Sequence, residues 1–194
     1  LNCSQVVSSN KTQEPIFDPR AGQILLSLNV SLKELSLKIN DKEYQCWHEV
    51  GHAIACINSG GRVELIELIN DADSKGLARA RCKTFNQDMR KNTAAGGFAM
   101  EYILYKTKRI TITEKEFIQE VFINVSLDKI PFFDGNFLQD DGYWPKELDV
   151  AFKNHAIKLS NTLLPYLDKI EVIVSKLMEK SKLSGDEVIA IYNS

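Results

Sequence analysis

The chain has 194 residues, of which 44% are hydrophobic and 26% are charged, and its formal net charge is −2. This composition is typical of one globular domain with its own core, and it argues against a nucleic-acid partner because no basic run accompanies the small net charge. No apolar stretch approaches the about 18 residues needed to span a bilayer. We therefore expect no membrane span and a cytoplasmic location, with the four cysteines as reduced thiols, since they lack CxxC spacing.

Two parts of the chain differ in character. Residues 1–20 are polar, contain two prolines and show no sustained apolar period, which predicts a partly disordered N-terminal arm. Residues 21–194 contain no internal repeat or low-complexity tract, and we expect them to form a single domain. Residues 23–39 mix helical and strand periods, so that segment is left unassigned.

A predicted helix over residues 41–58 carries the most informative motif, H-E-x-x-H, with His48 and His52 as its histidines. Asp41 is the predicted N-cap, and Ser59-Gly60-Gly61 predicts the end of the helix. Residues four apart lie on one helix face, so the two imidazoles can bind one metal ion.

Glu49 follows His48 directly and points about 100° away from it around the helix, off the metal but near a metal-bound water. This is the arrangement of a zinc peptidase, in which zinc activates the water and the glutamate takes its proton. The alternative is a chance grouping on a core helix. The motif is rare in a chain with three histidines, and this favours Zn²⁺ bound by His48 and His52 with Glu49 as the catalytic base.

Two strands separated by a polar turn are predicted at residues 62–69 and 76–82. An edge strand beside a metal helix can hold an extended substrate through main-chain hydrogen bonds, and we expect residues 63–69 to do so. A purely structural hairpin is the alternative.

A helix rich in small residues is predicted over residues 93–105. Gly96 and Gly97 lie inside it, where each glycine costs about 1 kcal/mol relative to alanine, so we expect this helix to pack closely against the motif helix. Glu101 is its lone acid and is either a ligand or partner of a histidine, or a solvated carboxylate.

Further helices are predicted over 113–125, after Pro145, over 167–178 and from Ser184, with an ordered loop near the site at residues 130–144. The predicted fold class is α+β, mainly helical, with a small sheet or hairpin beside the H-E-x-x-H helix. A catalytic zinc needs a third protein ligand, and an aspartate from the later helical region is a better candidate than His155.

The stretch 47–53 resembles the H-E-A-G-H-A helix of the FtsH-type zinc peptidases, the protease half of the membrane-bound AAA+ enzymes. The strand pair, the helix at 95–102 (family pattern near G-G-R-A-A-E) and the ending at 177–188 follow in the same order. The resemblance covers most of residues 44–191. It implies a zincin-like peptidase domain and, from the family's hexameric rings, a homo-oligomer.

The resemblance also implies a third zinc ligand, an aspartate at the start of a helix that follows the small-residue helix. Asp149 fits that pattern best, and Asp141, Asp140 and Glu101 are the alternatives. The resulting hypothesis is a zinc metalloendopeptidase that cuts unfolded or flexible polypeptides without ATP. The alternative is a non-catalytic module of the same fold that binds a peptide or protein.

Overall fold

The computed structural model describes residues 37–69, 78–122, 125–140 and 142–194. These residues are mainly helical with one small antiparallel sheet, so the predicted α+β, mainly helical class is confirmed. The predicted arm at residues 1–20 and most of segment 23–39 lie outside the described residues. The helices are α1 (Lys42–Asn58), α2 (Gln87–Lys106), α3 (Glu114–Glu116, continued as a π-helix over Phe117–Phe122), α4 (Ser126–Phe133), α5 (Lys146–Leu163), α6 (Leu167–Lys180) and α7 (Gly185–Asn193). The strands are β1 (Arg62–Leu68), β2 (Ala78–Lys83) and β3 (Lys182–Ser184), and a 3-10 turn over Leu164–Tyr166 joins α5 to α6.

Helix α1 begins and ends where its sequence predicts. The side chain of Asp41 accepts a hydrogen bond from the backbone N–H of Tyr44 at 2.8 Å, which satisfies one of the unpaired amides of the first turn. Gly60 follows the helix with a φ of 83°, a left-handed conformation that glycine adopts without strain. Most of the helix is buried, which makes it the central element of the core.

Helices α1 and α2 pack closely, as predicted, and Gly51 and Gly96 meet at the contact. A Cβ placed on Gly51 would lie 2.5 Å from the carbonyl oxygen of Gly96, and a Cβ on Gly96 would lie 2.5 Å from the carbonyl oxygen of Gly51. Any larger residue at either position would force the helices apart. Helix α2 begins before the predicted residue 93 because Asn86 caps it, its side chain accepting from the N–H of Met89 at 2.9 Å.

The sheet has the strand order β2-β1-β3, with both pairs antiparallel. Strand β1 therefore lies in the centre, and a register shift between Val63 and Leu65 interrupts its pairing with β2. Strand β3 had no signal in the sequence because it is only three residues long. The expectation that residues 63–69 align a substrate along an edge is wrong, because β1 already pairs on both sides.

The segment predicted as a loop at 130–144 is helical in its first part. Helix α4 continues to Phe133 although Pro131 lies inside it, and the left-handed conformation of Asp134, with a φ of 61°, ends it. The missing N–H of a proline removes one hydrogen bond, a tolerable loss because Phe132 is buried in the core. The capping box predicted at Thr113 and Glu116 is present.

One hydrophobic cluster connects the helices to the inner face of the sheet, and its side chains come from every helix from α1 to α7. Within the described ranges, no helix combines the length and hydrophobicity that crossing a bilayer requires.

Candidate metal centre

The two motif histidines point at one another from successive turns of α1. Their Nε2 atoms lie 3.0 Å apart, and the ring planes meet at 81°. The side chains are only 14% and 12% exposed for His48 and His52, so the pair lies at the inner end of a recess.

Each imidazole is oriented through its other nitrogen by a residue of α2. Nδ1 of His48 lies 2.9 Å from Oε1 of Glu101, and Nδ1 of His52 lies 2.7 Å from the carbonyl oxygen of Thr93. A carbonyl can only accept, so Nδ1 of His52 carries its proton toward Thr93, although the N–H of Gly97 also lies 3.2 Å from that nitrogen. With the proton of each neutral ring on Nδ1, both Nε2 atoms can present lone pairs to the same point, as metal-binding histidines do.

Asp128 completes the group. Its carboxylate lies 3.4 Å from Nε2 of His48 and 3.5 Å from Nε2 of His52. The residue sits in the first turn of α4, where a carboxylate is favoured by the unpaired backbone N–H groups of the helix start. The sequence analysis did not identify Asp128. The sequence feature that could have indicated it is an acid at the beginning of a short apolar stretch after the helix at 113–125.

Asp149, the aspartate predicted as third ligand, does not join the histidines. Its carboxylate pairs with Nζ of Lys129 at 2.8 Å. Asp140 is exposed in the loop between α4 and α5, and Asp141 lies outside the described residues. Of the alternatives that the structure describes, Glu101 contacts a histidine, as the partner of Nδ1 of His48.

The pair of Lys129 and Asp149 supports the helix that carries Asp128. The Lys129 side chain is 2% exposed, and its Nζ lies 4.1 Å from the centre of the Phe122 ring, a cation–π contact. Since Lys129 follows Asp128 directly, this anchoring limits where the Asp128 carboxylate can go. His155 is also elsewhere, with Nε2 2.8 Å from Oδ1 of Asn92.

Burial and the neighbouring charges have opposite effects on the pKa values of His48, His52 and Asp128. Burial acts to lower the pKa of His48, but the carboxylates of Glu101 and Asp128 outweigh it and hold that pKa well above its usual value. The pKa of His52 is raised too, with burial again opposed by Asp128. In turn, the two histidines outweigh the effect of burial on Asp128 and hold its pKa far below the usual value. The carboxylates of Glu101 and Asp128 thus favour positive charge at the histidines.

Three observations indicate that His48, His52 and Asp128 could hold a metal ion. Two imidazole nitrogens and one carboxylate converge, which is a common donor set for catalytic zinc. Oδ2 of Asp128 is buried and has no hydrogen-bond partner among the described residues, so it has a lone pair to offer. A Cβ on Gly97 would overlap Nε2 of His48 and lie 2.7 Å from Nε2 of His52, so this glycine keeps the point between the nitrogens open.

Glu49 also lies beside the two histidines, but strand β2 binds its carboxylate. Ligand atoms of Glu49 and the two histidines fall within 4.8 Å of one another. One oxygen of Glu49 accepts a hydrogen bond from the N–H of Ala80 in β2 at 2.7 Å. Because Asp128 contacts both Nε2 atoms and the Glu49 carboxylate is bound to β2, Asp128 is the stronger candidate for a third metal ligand.

A cleft of about 410 Å³ opens onto this group. Its lining comes from α1, β2, the start of α2 and α4, and includes Glu49, His52, Ala80, Arg90 and Asp128. A molecule in the cleft would therefore meet His52, Glu49, Asp128 and residues of β2 together.

The sequence matches no protein-family model, and no curated protein matches it as a relative.

Proposed function

We propose that this protein is a zincin-like, zinc-dependent metalloendopeptidase that hydrolyses peptide bonds in unfolded or flexible polypeptides. The observation that carries the proposal is the convergence of His48, His52 and Asp128, with Glu49 beside them, at the inner end of an open cleft. The resemblance of the sequence at residues 47–53 to the H-E-A-G-H-A helix of FtsH-type peptidases adds support.

His48, His52 and Asp128 would hold the zinc ion. Zinc accepts this mixture of nitrogen and oxygen ligands, and a zinc ion with three protein ligands would keep a place for a water molecule. When bound, zinc acts as a Lewis acid that lowers the pKa of a water and polarises a carbonyl group. Glu101 and the carbonyl of Thr93 keep the two imidazoles in the tautomer that binds metal.

Glu49 serves as the general base. Its carboxylate removes a proton from the attacking water and then delivers that proton to the amine of the leaving peptide. The N–H of Ala80 holds one carboxylate oxygen, so the other oxygen is the one that exchanges the proton. Helix α1 sets the spacing, because residue 49 follows one ligand and precedes the other by three positions.

Strand β2 orients the substrate. It pairs with β1 on one side, and no described strand pairs with its other side, which borders the cleft. An extended peptide can add to such an edge through main-chain hydrogen bonds. Because this requires the peptide backbone to be exposed and extended, the substrates are unfolded or flexible segments.

The proposal is tested by comparing wild-type protein with Glu49→Gln, a substitution that keeps size and removes the base. We expect zinc-loaded wild type to cleave a fluorogenic peptide library, and Glu49→Gln to retain zinc but lose about 10²–10⁴ in kcat/KM. The matched control is Glu179→Gln on the exposed side of α6, which should leave both quantities unchanged. A chelator should abolish cleavage by the wild type.

Two outcomes would overturn the proposal. Full activity of Glu49→Gln would show that the hydrolysis does not use this centre. Stoichiometric zinc without any cleavage would favour the alternative, a non-catalytic module that binds peptides or proteins.

A further inference from the structure

The edge of β2 that does not pair with β1 borders the cleft. The N–H of Ala80 points away from β1, since it donates to Glu49, and the cleft continues along the strand past Cys82 and Thr84. In a strand the N–H and C=O of one residue point to the same side, so the carbonyl of Ala80 also faces the cleft. A bound peptide would therefore run beside residues 80–84.

Three cationic side chains lie on the solvent face of β2. Arg79, Arg81 and Lys83 occupy alternate positions and are exposed, whereas Ala78 is buried and the residues at positions 80 and 82 turn inward. Side chains two apart in a strand lie on one face, so the three charges form a row about 7 Å apart.

The neighbouring strands neutralise only part of the row. Glu64 of β1, at the register shift opposite Arg81 and Cys82, is an exposed acid. Glu67 of β1 binds Arg79, lies 3.9 Å from Arg81 and is also paired with Lys182 of β3 at 3.3 Å. One carboxylate is thus shared among three cations. Lys83 has Arg62, another cation, as its cross-strand partner on β1. The solvent face at this edge consequently carries excess positive charge.

We propose that the cleft selects polypeptides with acidic side chains at alternate positions. A peptide strand added to β2 places every second side chain on the same face as Arg79, Arg81 and Lys83, at the distance of a cross-strand pair. Opposite charges in such pairs stabilise the added strand, and lysines there destabilise it. This inference rests on the proposed function, since it assumes that β2 holds the substrate.

Arg90 adds a cation on the inner side of the same cleft. It lines the cavity together with Asp128 and Glu49, and it forms an ion pair at 2.9 Å with Asp134, whose side chain is 66% exposed. Its buried Nε has no partner among the described residues. An exposed pair of this kind is weak, so an acidic side chain of the peptide can replace Asp134.

Binding and cleavage are measured separately. Zinc-loaded Glu49→Gln is titrated with three fluorescent peptides of equal length and spacing, carrying Glu, Gln or Lys at alternate positions, and wild type is assayed for cleavage of the same three. We expect the Glu peptide to bind about tenfold more tightly than the Gln peptide at low salt, and the Lys peptide to bind weakest. The preference should shrink as the salt concentration rises.

The charge-reversal variant Arg81→Glu/Lys83→Glu should favour the Lys peptide over the Glu peptide. The matched control Lys158→Glu/Lys176→Glu changes the net charge equally on exposed helical positions and should keep the wild-type order. Circular dichroism verifies that both variants fold. A variant that fails to fold is replaced by Arg81→Gln/Lys83→Gln, which should lose the preference without inverting it.

The outcomes separate this inference from the proposed function. Cleavage of all three peptides at equal rates, with equal affinities, would overturn the charge selection and leave the peptidase standing. Binding of the Glu peptide in the expected order without cleavage by wild type would support the acidic-peptide site and overturn the peptidase. Equal or tighter binding of a single-stranded oligonucleotide of the same charge would assign the basic row to nucleic acid instead.

Discussion

Nδ1 of His48 lies 2.9 Å from Oε1 of Glu101, so a carboxylate on α2 sets the orientation of a ring on α1. Glu101 is itself 5% exposed and lies beside the buried Tyr44, whose pKa is raised by burial and by the nearby Glu101. The centre therefore depends on the close packing of the two helices as much as on the motif. Gly51 and Gly96 make that packing possible.

Glu101→Gln should weaken zinc binding while the fold is retained. The amide oxygen of glutamine can still accept from Nδ1 of His48, but it removes the negative charge that strengthens the imidazole as a ligand, and loss of such partners costs about 10- to 100-fold in metal affinity. Competition with a chromophoric chelator measures the change. Unaltered zinc affinity would show that Glu101 has only a packing role.

Asp128→Asn and Asp149→Asn distinguish the two candidate ligands. Asp128→Asn should lose stoichiometric zinc, because a neutral amide replaces the carboxylate whose two oxygens face the two histidines. Asp149→Asn should keep zinc but lower the free energy of unfolding by about 1–3 kcal/mol, since it leaves the buried ammonium of Lys129 without its counter-ion. That value is below the cost for a fully buried pair because the Asp149 side chain is 31% exposed. Metal analysis measures the zinc content of the two variants, and urea unfolding measures their stability. Zinc lost from Asp149→Asn but kept by Asp128→Asn would identify Asp149 as the ligand.

Gly97→Ala should remove zinc binding without unfolding the protein. The added methyl group would occupy the point that both Nε2 atoms face, and the rings would have to turn away. Alanine favours a helix interior over glycine by about 1 kcal/mol, which offsets part of the local strain in the metal-free protein. Zinc content and thermal unfolding are the measurements. A variant with normal zinc content would place the metal elsewhere.

Glu187 should make part of the stability depend on pH. Its contact with Lys180 and its hydrogen bonds to Ser184 at the start of α7 lower the pKa of Glu187 from the usual 4.5 to about 2. The unfolded chain therefore binds this proton first, so the stabilisation is complete above pH 4.5 and is lost as the pH falls toward 2.

Urea unfolding at a series of pH values tests this dependence. The stability difference between wild type and Glu187→Gln should narrow across that window, whereas Glu147→Gln, at an exposed position of α5, should follow the wild-type curve throughout. Wild-type and Glu187→Gln curves that stay parallel would contradict it.

Local chemistry was sufficient to predict several features from the sequence. Helix α1 was predictable because Asp41 caps it and glycines end it, and the spacing of His48 and His52 follows from the helical repeat alone. The contact of α1 with α2 was predictable because interior glycines are costly unless another backbone approaches them. These signals lie within a few residues of the features that they determine.

The third ligand and the substrate edge were decided by tertiary structure. Asp128 and Asp149 both occupy the first turn of a helix, and only the packing of α4 and α5 against α2 sends one to the histidines and the other to Lys129. Likewise, β1 became central because the three-residue β3 pairs with it, which left β2 at the cleft. Contacts between distant segments depend on the whole core, and no local pattern in the chain encodes them.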